Sequence, residues 1–120
     1  MTSPRVTHVS WGRMEVDGLP PGKDFMVYPG GGQAWDWTLT GTRHDPGIQP
    51  ADVATLLDRG ATVVVLSAGM HEQLGVDPAT IDLLEQRGIV WHRAETTEAV
   101  AIYNRLAATE PVGGLFHSTC

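Results

Sequence analysis

Hydrophobic positions in the amino-terminal quarter come in short runs set off by turn residues. Val6 to Trp11 reads as a strand, Met14 to Val16 as a second beyond Gly12, and Asp24 to Tyr28 as a third. The turn-rich Gly18-Leu-Pro-Pro-Gly22 lies between the last two. This order predicts an antiparallel β-meander.

From Pro50 onward the spacing becomes helical. Pro50 to Arg59 has proline at the first helical position, Asp52 in the first turn and Gly60 just past the end. Val53, Leu56 and Leu57 form its inward stripe. Ala61 to Gly69 is then an apolar, β-branched run of the kind buried on both faces of a parallel sheet. Asp77 is placed to cap a second helix that starts at Pro78, runs to Arg87 and stops at Gly88. Ile89 to Arg93 is the next strand. Thr96 is placed to cap a third helix with the stripe Ala99, Val100, Tyr103, Leu106 and Ala107, and Val112 to His117 is the last strand. Pro50-Ala51, Val53, Leu56 and Arg59-Gly60 recur as Pro78-Ala79, Ile81, Leu84 and Arg87-Gly88. One helix–Arg-Gly–strand unit is therefore used twice, which points to alternating α and β with right-handed crossovers.

Between the two halves, Pro29 to Gln49 shows neither period, apart from a short strand expected near Ala34 to Leu39. A connection that long in a compact domain is usually functional or disordered. Trp35 and Trp37 argue against disorder.

Length and charge narrow the function classes. The 120 residues suffice for a single α/β domain spanning the whole chain, with one real core. No run approaches the ~18 apolar residues of a membrane span. Met-Thr-Ser-Pro-Arg has neither a signal-peptide apolar stretch nor a transit-peptide pattern, and the lone Cys120 precludes an internal disulfide, so a cytoplasmic location is expected. The net charge is −6, and the arginines and Lys23 are scattered without a basic stripe, which argues against nucleic acid.

Ligands of open α/β sheets sit beyond the carboxyl ends of the parallel strands. Here those ends are Ser67-Ala68-Gly69 and Ala94-Glu95-Thr96-Thr97, with helix amino-termini offering N–H groups to an anion. His117-Ser118-Thr119-Cys120 joins the same rim if the last strand is parallel and leaves it if antiparallel. The long loop adds Trp35-Asp36-Trp37, whose alternation would set both rings on one side and the carboxylate on the other. It also adds Arg43, a bidentate anion clamp, and His44, an acid/base group. The candidate ligand-binding set is Arg43, His44, Gly69, Thr96, Thr97 and His117; the candidate interaction set is Trp35, Asp36 and Trp37. Against these stand plainer roles: Thr96 capping its helix, Gly69 allowing a turn, Arg43 tying the loop to an aspartate. Gly30-Gly31-Gly32 is not followed by a helix with Lys-Ser/Thr, so no nucleotide fingerprint is met. His44, His117 and Cys120 lack metal-ligand spacing, and neither metal nor cofactor is expected.

Ser10-Trp11-Gly12, Trp35-Asp36-Trp37, Gly41-Thr42-Arg43-His44 with Pro46-Gly47-Ile48, the Val-Leu run to Gly69, Ala99-Val100 with Tyr103-Asn104, and His117-Ser118-Thr119-Cys120 together resemble one family. It includes the mammalian adipogenesis-associated domain-containing protein and bacterial and archaeal relatives. The resemblance covers nearly the whole chain. It implies a three-layer α/β domain with a central mixed sheet, three main helices and the meander packed across. A distant branch is similar to a mitochondrial complex I assembly factor, a non-enzymatic role, but lacks the Thr42-Arg43-His44 and His117-to-Cys120 patterns. Two readings follow: a non-enzymatic protein-binding or assembly module using Trp35 and Trp37 toward a partner or second copy, and a small-anion site, binding or enzymatic, around Arg43, His44 and Thr96.

Overall fold

The computed structural model describes residues 1–120. Strands β1 (Val6–Ser10) and β2 (Arg13–Val16) pair as an antiparallel hairpin. Strands β3 (Asp24–Tyr28), β4 (Gly31–Ala34), β5 (Val63–Ser67), β6 (Val90–Ala94) and β7 (Val112–His117) form one sheet in the order β4-β3-β7-β5-β6. Helices α1 (Pro50–Asp58), α2 (Pro78–Gln86) and α3 (Thr96–Ala107) complete the domain.

The sheet is mixed. β7 runs parallel to β5, which runs parallel to β6, while β3 is antiparallel to both β7 and β4. The first three strands are consecutive but do not form one continuous sheet. β3 leaves the hairpin, retaining only the Met14–Gly22 bridge to it, and enters the central sheet beside β7.

Strand alternation explains the three layers. Phe25, Val27, Val63, Val65, Val112 and Phe116 face the hairpin and α3, meeting Val6, Met14, Val16, Ala99, Val100 and Tyr103. Met26, Tyr28, Val64, Leu66 and Leu115 face the other way, against Val53, Leu56 and Leu84 of α1 and α2. A strand covered on both faces must be apolar at every position, as β5 is. Leu56, Leu66, Leu84 and Leu115 have no solvent exposure, and each such burial contributes about 1.5–3 kcal/mol.

Several sequence expectations need correction. The strand expected near Ala34 to Leu39 lies earlier, at Gly31–Ala34, because Phe25 to Tyr28 supply a pairing edge in register with it. Trp37–Leu39 is instead a 3-10 turn, capped by Asp36, whose carboxylate accepts from the Thr38 amide and hydroxyl. Those two bonds hold the Asp36 carboxyl below the usual carboxylate range. Trp11 lies past the end of β1, in the hairpin turn, and is 54% exposed. The cap of α3 is Glu95, which accepts from the amides of Thr97 and Glu98. Thr96 is freed for another bond.

Candidate functional site

With β7 parallel to β5, the carboxyl ends of β4, β5, β6 and β7 and the amino end of β3 share one rim. Register sets what meets there. Asp24 and His117 are partners across the β3–β7 ladder. The His117 Nδ1 lies 3.0 Å from both oxygens of Asp24, and the two side chains are only 4% and 10% exposed. His117 Nε2 stands 3.2 Å from the Thr119 hydroxyl. The His117 amide donates to the Ser67 hydroxyl at 2.8 Å, so β5 also fixes the ring's position.

The loop after β4 covers this group. The Trp37 ring lies over His117 with centroids 4.6 Å apart, and His44 closes the set at 5.3 Å from Trp37 and 5.4 Å from His117. These residues line a cleft of about 520 Å³ together with Lys23, Asp24 and Thr119. The Trp37 indole N–H is buried with no acceptor in the protein. A buried donor without a partner costs about 1–3 kcal/mol and calls for an explanation. Another hollow, about 570 Å³, lies beside Gly18 and Gly30–Gly32 and offers Asp17 as its one ionisable side chain.

What anchors the loop is a carboxylate that sequence reading placed only in a helix's first turn. Asp52, buried in α1, accepts from the Trp35 indole at 3.1 Å, the Thr40 hydroxyl at 2.7 Å, the Gln49 amide at 2.8 Å and the Thr42 hydroxyl. Trp35 is thereby drawn into the core at 5% exposure. Its ring touches Trp37 at 5.4 Å, while Asp36 is exposed. Trp35 is thus buried, while Trp37 beside it is half-buried and lines the cleft.

The candidate ligand set divides. His44 and His117 come together in the cleft. Arg43 is exposed, has no carboxylate within ion-pair reach and does not line the cleft. Thr96 is fully buried and its hydroxyl donates to the His117 carbonyl at 2.6 Å, so it positions rather than contacts. Gly69 meets the carboxyl-terminal segment: a Cβ there would lie 2.4 Å from the Cys120 carbonyl carbon. Thr97 is exposed on the first turn of α3, its hydroxyl 3.8 Å from the Met70 sulfur. Sequence reading missed Asp24 and Thr119 as partners of His117. Thr119 carried a faint signal, being two residues beyond a histidine at a strand end, whereas Asp24 carried none.

An α/β domain with a mixed sheet and a polar cleft at one rim defines the class. The chain belongs to the DUF498/DUF598 family of proteins of unknown function, whose pattern it matches over residues 6–117. It is similar in structure to a conserved hypothetical protein from Pyrococcus horikoshii, with 21% identity, a TM-score of 0.81, and 97% of this chain and 99% of that one covered. A Bartonella henselae protein described as an outer membrane protein matches at 18% identity and TM-score 0.77, over 98% and 96% of the two chains. A Bordetella pertussis protein described as an Mth938-like domain matches at 20% identity and TM-score 0.63, over 96% and 85%. These likenesses bear on the fold. No helix of this chain is long and apolar enough to cross a membrane.

Proposed function

We propose that this protein binds a small anionic, carboxylate-bearing molecule in the cleft between Trp37, His44 and His117. One observation carries this reading: three aromatic rings with centroids 4.6 to 5.4 Å apart converge on one cleft, and His117 among them is oriented by a buried carboxylate. A structural histidine needs no second histidine and no open cleft beside it. Lys23 and His44 supply donors for oxygen atoms, and the Trp37 face supplies apolar contact, the mix that small-ligand sites use. Arg43 stands outside this cleft, so the site differs from the Arg43–His44–Thr96 grouping.

The test is a titration with acetate and, separately, inorganic phosphate, followed through the Trp37 indole and His44 imidazole NMR signals. Saturable shifts are expected for at least one anion, with affinity about tenfold weaker in His44→Ala, a loss of about 1.4 kcal/mol. Unperturbed signals at ~10 mM, ten times a Kd of about 1 mM, would overturn the reading.

A protein-binding or assembly role is the second reading, in keeping with the resemblance to the complex I assembly factor branch. Leu39 favours it, an apolar side chain 78% exposed on the turn near the start of this same loop. Trp35 contributes less to such a surface than its sequence suggested, since it is buried with its indole N–H donating to Asp52.

A further inference from the structure

Asp24, His117 and Thr119 are linked in series, carboxylate to imidazole to hydroxyl, at 3.0 Å and 3.2 Å. The chemistry of each group fixes the direction of the chain. An ionised carboxylate can only accept, so the hydrogen of the neutral imidazole sits on Nδ1 and Nε2 is left as a lone pair. That lone pair faces the Thr119 hydroxyl. The backbone holds the arrangement on both sides: the Gly12 amide donates to the Ser118 carbonyl at 2.9 Å, and the Met70 amide to the Thr119 carbonyl at 2.7 Å. The Ser118 amide also reaches Asp24, at 3.3 Å. Thr119 lines the cleft and is only partly buried, so a small molecule can reach its hydroxyl.

We propose that this series is an acyl-transfer relay, making the protein a hydrolase of small activated esters. The proposal rests on the binding reading above, since the carboxylate bound there is the acid product. Thr119 Oγ1 attacks the ester carbonyl carbon, and its proton passes to His117 Nε2 as the new C–O bond forms. The imidazolium so produced is held by Asp24 through Nδ1–H. That proton then goes to the leaving alkoxide as its bond to the acyl carbon breaks, releasing the alcohol. Water, deprotonated by His117 in the same way, attacks the acyl-threonine; the acid departs, the proton returns to Thr119 Oγ1, and the sum is ester plus water giving acid plus alcohol. His44, ring to ring 5.4 Å from His117, is the donor assigned to the oxyanion. Thr119 and His117 are catalytic residues in this scheme, and Asp24 is a positioning residue.

Two probes test it: turnover of p-nitrophenyl acetate, and labelling by a fluorophosphonate, whose fluoride leaves as the hydroxyl oxygen bonds to phosphorus. Peptide mass spectrometry should place the label on Thr119. Thr119→Val keeps the shape of the side chain and should abolish labelling in a protein that still melts cooperatively. Asp24→Asn should slow turnover by roughly 10²-fold or more and displace the pH–rate profile, which a merely structural carboxylate would not do in a variant that still melts cooperatively. A label on Lys23 or the amino terminus, or turnover unchanged in Thr119→Val, would overturn the relay. If acetate still shifts Trp37 and His44 in that event, the binding reading stands without it; if acetate shifts neither, both fall.

Discussion

Asp52 does at one position what the glycine-rich loop cannot do for itself. Ordering a loop costs about 1–2 kcal/mol of backbone entropy per residue, and here one buried carboxylate gathers four donors from Trp35, Thr40, Thr42 and Gln49. Asp52→Ala should therefore destabilise the protein by about 3 kcal/mol in urea unfolding, since several buried donors lose their acceptor together; a loss under ~1 kcal/mol would show the loop is held otherwise. Arg43→Lys should change stability by no more than ~0.5 kcal/mol, because Arg43 is exposed and unpaired. Tyr103 adds to the loss of stability at alkaline pH. Burial raises its phenol above the ordinary range, and its hydroxyl donates to the Pro4 carbonyl. The unfolded phenol ionises near pH ~10, so this contribution is fully present below that pH and is lost as pH rises toward the folded group's higher value. Unfolding free energy measured from pH 8 to 11 should fall more steeply in the wild type than in Tyr103→Phe.

At the scale of elements, local chemistry was the readable part. The starts and stops of α1 and α2 stand where proline, aspartate and glycine put them: Asp77 accepts from the Ala79 amide, and Gly60 and Gly88 have φ of +97° and +67°. Because that backbone region is costly for any branched residue, Gly60→Val and Gly88→Val should each cost more than ~1 kcal/mol, read as a lowered denaturation midpoint with an unchanged slope. The candidate site was readable in halves. His44 and His117 stood out by type, but the pairing of His117 with Asp24 depends on a register across 93 residues, which no local pattern records. The inward turn of Trp35 likewise follows from Asp52, 17 residues further on. β4 was missed because two glycines and a glutamine carry little strand propensity; its partner strand supplies the order.

For the molecule as a whole, β7 is the piece that joins the rest. It lies between β3 and β5, so the β4-β3 pair and the β5-β6 pair have no ladder to each other except through it. A chain ending at Glu110 should lose cooperative unfolding and dispersed NMR spectra rather than one strand's worth of stability; a monomeric, cooperatively melting product would contradict this. The order of the elements along the chain then acquires a consequence in time. During synthesis, six of the seven strands exist before the one that unites them, and two bare sheet edges wait for it, exposed to wrong partners. His117 arrives with that last strand, so the same event that seals those edges also brings the imidazole to Asp24. Until then the cleft lacks the imidazole at its centre.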